Sequence, residues 1–261
     1  MVCIKFVNKE MKKLHLILFI VILWSSCKEP GCTDLLATNY NVEANKDDGS
    51  CEYVFPVKIN VLLTENGRAL SRYGTYNNNS VTYRLETLKY YLSHLQLNNN
   101  EVADVFLYDV ESDNNFILTH HNSNKINAIE FGLGLTESQN NSDPTTFVST
   151  HPLSFAQNTY WYMTPPSYMF VMAEQKADTL GNGVYSLPVT YHLAHNDLYR
   201  LIQKNVDINL SLTDTVEVDI SLELVDFMNN IDYNEVVPHI SESTPIANLL
   251  MDNLANAFSI Q

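Results

Sequence analysis

Tyr90–Leu97, YYLSHLQL, closed by Asn98-Asn99-Asn100, is the stretch that decides how this chain folds. Aromatic and aliphatic residues in a run without glycine or proline fit a pleated, half-buried strand. Three asparagines in succession end it, because their side chains hydrogen-bond locally and tolerate turn conformations. Upstream, Val57-Lys58-Ile59-Asn60-Val61 alternates as a strand with one buried face should, and Asn77-Asn78-Asn79-Ser80 marks a turn. Downstream, Val105–Val110 and Phe116–His120 read as a hairpin around Ser112–Asn115, and Ile126–Leu133 as a further strand. Thr136–Gln157 is polar and irregular, a long surface loop or insertion. Tyr168–Glu174, Val189–His195, Val206–Leu212 and Thr215–Leu224 bring the total to about nine strands, the last two flanking a tight turn at Thr213-Asp214.

The C-terminus changes period. Thr244 is a helix cap with Pro245 at the first helical position, and Ile246, Leu249, Leu250, Leu254 and Phe258 recur at helical spacing. The expectation is an all-β domain over residues 55–261, an antiparallel β-sandwich or barrel-like fold, carrying one C-terminal amphipathic helix. Fifteen tyrosines and a 45% hydrophobic content suit one sizeable β core.

Charge excludes some partners. The chain has 15 basic and 30 acidic residues, net −15, and Lys5, Lys9, Lys12 and Lys13 all lie near its start. A surface this acidic does not neutralise phosphates, so nucleic acid is not a partner. Electrostatic adhesion to anionic lipid is disfavoured as well.

The start of the chain carries an address. Lys12 and Lys13 precede an apolar run, Leu14–Trp24, too short to span a bilayer and of signal-peptide length. Ser25-Ser26-Cys27 places small residues before a cysteine, as in a bacterial lipobox, with Trp24 where leucine is usual. Residues 1–26 are thus read as a lipoprotein signal peptide, with Met11 the more natural start and Cys27 the acylated residue; a plain secretory signal is the alternative. Membrane attachment then rests on acyl chains at Cys27. Localisation follows as the envelope of a Gram-negative bacterium, an outer-membrane lipoprotein on the periplasmic side or the cell surface.

Residues 27–54 form the anchor and a small unit. In GCTDLLATNYNVEANKDDGSCEY (residues 31–53), apolar content is low, and Cys32 and Cys51 are an even pair in an oxidising compartment, so a disulfide is expected. The segment resembles a short "GCTD…A.NYN..A..DDGSC.Y" module of secreted and surface proteins. Asp34, Asp47 and Asp48 offer oxygen ligands for calcium; an Asp-Gly turn closed by the disulfide is the competing reading.

Several segments of the larger domain occur in the order of one family. Leu88–Leu97 resembles "LKYYLSNIxL", and Ile129-Glu130-Phe131-Gly132-Leu133-Gly134 resembles "I.FGIG". His151-Pro152-Leu153, Tyr160-Trp161 and Tyr168-Met169-Phe170 resemble "HPL…GMYWTW..GY.F". Tyr191-His192-Leu193 resembles "F.FHLG", and Asn248–Phe258 the terminal "IA.N…AF". The set resembles the MbnP-like domain family. The resemblance implies an exported, β-rich, non-catalytic protein that binds copper or another transition metal through histidines. It also implies a dihaem partner enzyme that oxidises a tryptophan near the site. His192 falls on the family's "HLG" histidine and Trp161 on the first tryptophan of "WTW". The chain departs from the pattern at Met163, Asn158-Thr159, Pro165-Pro166 and Ala194-His195, and Ile59–Leu63 lacks the first-strand histidine of many relatives.

No HxxxH or CxxC pair is present, so any copper site is assembled from distant strands. His192, His94, His195 and His151 are the candidate ligands, with Met163, Met169 and Met172 as thioethers and Trp161 as the nearby aromatic. His192 and His195 diverge on a regular strand and need a bulge or turn at Ala194 to converge. His120 and His121, being adjacent, diverge too. No G-x-S-x-G, HExxH, P-loop or dinucleotide loop occurs, so an enzyme is not expected. A surface structural or interaction lipoprotein that kept the fold without the metal is the alternative function.

Overall fold

The computed structural model describes residues 28–78, 81–162, 166–232 and 244–261. The leader, Cys27, Met163, Pro165 and His239 lie outside the described residues. The described residues divide into two compact units, one within residues 28–35 and 39–51, the other within residues 36–38 and 52–261.

In the small unit, two-residue strands Pro30–Gly31 and Lys46–Asp47 pair in parallel. Cys32 and Cys51 are joined by a disulfide with Cα atoms 4.8 Å apart. With so little apolar residue content, this bond and a few main-chain contacts, such as Asn41 N donating to Cys32 O at 2.9 Å, hold the segment.

The large unit is two sheets around one apolar core. Its strands are β1 (Phe55–Glu65), β2 (Thr75–Asn78), β3 (Val81–Leu97), β4 (Asn100–Asp109), β5 (Phe116–His121), β6 (Lys125–Leu133), β7 (Val171–Asp178), β8 (Leu187–Leu193), β9 (Arg200–Asn209), β10 (Val216–Glu223) and β11 (Phe258–Ile260). Helix α1 is Glu137–Asn140 and helix α2 is Pro245–Ala257. The larger sheet runs β8-β7-β3-β6-β9, with β2 and β4 on the other edge of β3. The smaller runs β11-β10-β1 and on to the two-residue strand Arg68–Ala69, with β5 also on β1.

Strand β3 is the axis. One edge pairs first with β7 and then with β6; the other pairs first with β2 and then with β4. The decisive YYLSHLQL stretch is its second half. Tyr90 is fully buried, stacked on Tyr108 at 4.7 Å and met edge-on by Phe258. Such ring pairs add to area burial and lock the layers together.

One expected connection differs. Residues 105–110 and 116–120 are strands but not a hairpin. β4 pairs with β3 in the large sheet, and β5 pairs with β1 in the small one. Asn115 causes the divergence: its Nδ2 donates to Asp109 O and Ser112 O, turning the chain out of one layer into the other. Strands β9 and β10 flank a turn at residues 211–214, as expected, and pair with β6 and β1 respectively. β10 runs parallel to β1, the exception in an otherwise antiparallel sandwich. The ninth strand also begins earlier than expected, at Arg200.

Helix α2 matches its sequence signals. Thr244 Oγ1 accepts from Ala247 N at 3.2 Å, Pro245 occupies the first turn, and Leu250, Met251 and Leu254 are buried. The expected periodic residue Phe258 instead begins β11.

Candidate metal centre

The outer face of the large sheet carries the family-motif histidine. In β8, Val189, Tyr191 and Leu193 are buried in the core, which leaves His192 on the opposite, half-buried face. The antiparallel ladder sets Met172 of β7 directly opposite His192, and Lys89 of β3 directly opposite Met172. Directly opposed residues share a face with adjacent side chains, so imidazole, thioether and ammonium form one row. One step along β7, the Glu174 carboxylate lies 3.1 Å from His192 Nε2. With Nε2–H donating to that carboxylate, Nδ1 is the basic nitrogen of the ring.

Parts of residues 136–162 and 166–170 pack over this face. Lys89 Nζ donates to Gln157 O at 3.2 Å and pairs with Asp109 at 2.9 Å. Tyr91, two residues on, points the same way and is fully buried; its hydroxyl lies 3.0 Å from Pro152 O and 2.6 Å from Thr159 Oγ1. Burial pushes the Tyr91 phenol well above its ordinary pKa, so it stays protonated. Trp161 belongs to this cover, in a short ladder where Tyr160 and Trp161 face Tyr168 and Ser167.

Two glycines of the "FGLG" segment make room for aromatic rings packed against β6. A Cβ on Gly132 would collide with the Tyr199 ring. Gly134 has φ +97°, and a Cβ there would meet the Phe170 ring at 2.5 Å. The backbone closes the same region: Gly134 N donates to Tyr91 O, Tyr91 N to Phe170 O, and Phe170 N to Leu193 O.

Each of the other candidate histidines has local partners of its own. His195 follows the end of β8 with φ 140° and caps the short turn 196–198, its Nδ1 lying 3.4 Å from Asp197. His151 Nδ1 accepts from Leu153 N at 3.1 Å, and its ring stacks on Phe147 at 4.3 Å. His121 is buried in β5 with Asn98 Nδ2 donating to its Nε2 at 3.0 Å. Burial lowers the pKa of His121 and keeps it neutral. Among the described residues, the one group of three His, Cys, Asp or Glu with ligand atoms within 4.8 Å of one another is His94, Glu101 and Asp104. Glu174, Glu101 and Asp104 escaped the sequence reading, since none lies in a motif and each meets its histidine across a ladder or hairpin.

In the small unit, two of the three aspartates named for calcium serve the turn. Asp47 Oδ1 accepts from Gly49 N and Asp48 Oδ1 from Ser50 N, both at 3.0 Å. The Ser50 hydroxyl and N–H hold the Asp48 carboxyl below its ordinary pKa. That is the geometry of a hydrogen-bonded Asx turn.

A two-layer β-sandwich whose larger sheet carries a half-buried histidine on an outer face partly covered by loop segments defines the class. The chain belongs to the MbnP family, whose model matches residues 55–245. Among solved structures, MbnP from Methylosinus trichosporium superposes with a TM-score of 0.56 at 12% identity, covering 79% of this chain and 98% of that one. At that identity the likeness concerns the fold. No curated protein matches the chain.

Proposed function

We propose that this is an exported, lipid-anchored member of the family that binds copper as Cu(I) on the outer face of the large sheet and catalyses no reaction itself. The observation that carries the reading is the opposition of Met172 to His192 in the β7–β8 ladder, with Glu174 on the imidazole. An imidazole and a thioether are donors that suit Cu(I), and a carboxylate on the second ring nitrogen raises the basicity of the first. His94, His195 and His151 are outside this ligand set, so the site is sparser than a multi-histidine centre. Bound copper would supply a soft cation; the chain's own part is to orient the ring through Glu174 and to limit water beside the covered part of the sheet. Trp161, in that cover, is the residue a dihaem partner enzyme would oxidise. Acylation at Cys27 would tether the protein to the outer membrane of a Gram-negative envelope.

Anaerobic Cu(I) titration against a competing chelator tests the reading. One equivalent should bind, with affinity falling at least about tenfold in His192→Ala and in Met172→Leu. Equal affinity in both variants would overturn it. The peptide mass of Trp161 from native cells reports conversion to kynurenine.

A second reading, a surface interaction lipoprotein without metal, is favoured by two observations. His151 and His195 each serve a local turn, and β1 contains no histidine. Protease accessibility on intact cells distinguishes a surface-exposed protein from a periplasmic one.

A further inference from the structure

The His94 group stands apart from the His192 row, and its geometry is built rather than incidental. In β3 the core-facing apolar residues run Leu88, Tyr90, Leu92 and then Leu95, Leu97, so the alternation slips by one at Ser93-His94. The ladder slips there too. Ser93 pairs with Gly132 and Gln96 with Glu130, two intervening residues against one. His94 takes φ +47°, the left-handed region. A bulge re-aims the side chain it carries, and here it turns the imidazole away from the core toward β4. The turn at Asn98 and Asn99, both left-handed, brings β4 back alongside. His94 Nδ1 then lies 2.6 Å from Glu101 Oε2 and 3.7 Å from Asp104 Oδ1.

A second element positions the third ligand. Gln139 of α1 is 9% exposed, and its Nε2 donates to Asp104 Oδ1 at 2.9 Å and to Asp104 O at 3.0 Å. Its Oε1 in turn accepts from the N–H and hydroxyl of Thr136 at 3.0 Å each. A buried amide locked by a capping box thus orients the carboxylate, the outer-layer support that metal ligands characteristically have.

We infer that His94, Glu101 and Asp104 form a second metal site, for a divalent transition ion of the Zn²⁺ type. One imidazole and two carboxylates match the nitrogen and oxygen donors Zn²⁺ accepts. The set lacks the sulfur that Cu(I) prefers, and its imidazole is foreign to the all-oxygen shells of Ca²⁺ and Mg²⁺. Bond lengths near 2.0–2.2 Å place neighbouring tetrahedral ligand atoms about 3.3 Å apart. The Asp104–His94 separation already accommodates this. The Glu101–His94 contact opens by about 0.7 Å on loading, from geometry alone, and side-chain exposures of 40%, 45% and 62% leave it room. Water completes the shell. The bound ion would clamp the β3–β4 hairpin and, through Asp104–Gln139, tie it to α1.

The test is Zn²⁺ titration of the metal-free full-length protein against a chromophoric chelator, with Co²⁺ as the spectroscopic probe. One equivalent should bind, and Co²⁺ should give visible bands of four- or five-coordinate geometry. His94→Asn removes the imidazole but tolerates the left-handed backbone, so it separates a lost ligand from a lost fold. Affinity should fall at least about tenfold in His94→Asn and Glu101→Gln, and about tenfold in Gln139→Ala, in which all three ligands remain. It should be unchanged in His192→Ala, which keeps this outcome independent of the copper reading. No saturable equivalent in the unmodified protein, or undiminished affinity in His94→Asn with the circular dichroism spectrum intact, would overturn the assignment.

Discussion

His192 and His94 stand on the same sheet but reach their positions by opposite means. His192 is where regular alternation puts it: in β8 its neighbours Tyr191 and Leu193 are fully buried, and the ladder delivers Met172 opposite. His94 is where alternation fails: a bulge and a left-handed backbone turn it toward Glu101 and Asp104. A ladder fixes which side chains share a row but holds them at the sheet's own spacing. A bulge escapes that spacing and gathers ligands from a single hairpin. Soft, sparse donors under a cover and harder donors near the surface are the chemical outcome of the two routes.

The comparison is broken most severely at Gly134. Its φ of +97° suits glycine, and the Phe170 ring leaves no room for a methyl group. Gly134→Ala should destabilise the domain by about 2–4 kcal/mol, from backbone strain plus overpacking. The loss would appear as a lowered denaturant midpoint. The His192 end should suffer directly, since Gly134, Tyr91, Phe170 and Leu193 are consecutive in one main-chain hydrogen-bond relay.

Next in size is the bulge itself. His94→Val places a β-branched residue in the left-handed region and should cost about 1–2 kcal/mol, whereas His94→Gly should leave stability nearly unchanged or improve it. Equal melting temperatures for the two variants would show that the bulge does not hold position 94 left-handed. Neither variant should shift Cu(I) binding at His192.

The smallest effect sharpens the contrast through pH. His121 anchors the tip of the β3–β4 hairpin by accepting from Asn98, and burial holds its pKa below the ordinary 6.5. The unfolded chain therefore takes up a proton near pH 6.5 that the folded chain takes up only at lower pH. Across that window the unfolded state binds more protons, so this group makes stability rise with pH and fall on acidification below about 6.5. Denaturation of His121→Gln at pH 7.5 and 5.5 should show a flatter dependence than the unmodified protein. Hydrogen exchange should locate the acid-induced opening at residues 97–100.

The legibility of the chain follows the same division. Local signals sufficed where one residue's backbone preference or period decided the outcome. Thr244-Pro245 begins α2, the Cys32–Cys51 bridge is present, and the strands around Tyr90–Leu97 and Ile126–Leu133 are strands. The hairpin expected between residues 105 and 120 failed because strand propensity does not say which strand is the neighbour. The Asn115 side chain and the hydrogen-bonding edges open on β3 and β1 decided that. The "FGLG" glycines had a motif but no stated reason until Tyr199 and Phe170 were seen against them. Leu92 and Leu95, three apart in a strand, are the trace the His94 bulge left in the sequence.

From the sequence alone came an all-β domain with a C-terminal helix, its disulfide-closed N-terminal unit, and the resemblance that singled out His192. Those features depend on residue periodicity, capping and cysteine count, which are local or nearly so. Only the tertiary structure decided that Met172 and Glu174 are the companions of His192, that His151 and His195 serve turns, and that His94 meets Glu101 and Asp104. Such pairings depend on ladder register and on where a bulge interrupts it, and these are fixed by the fit of two sheets around one core.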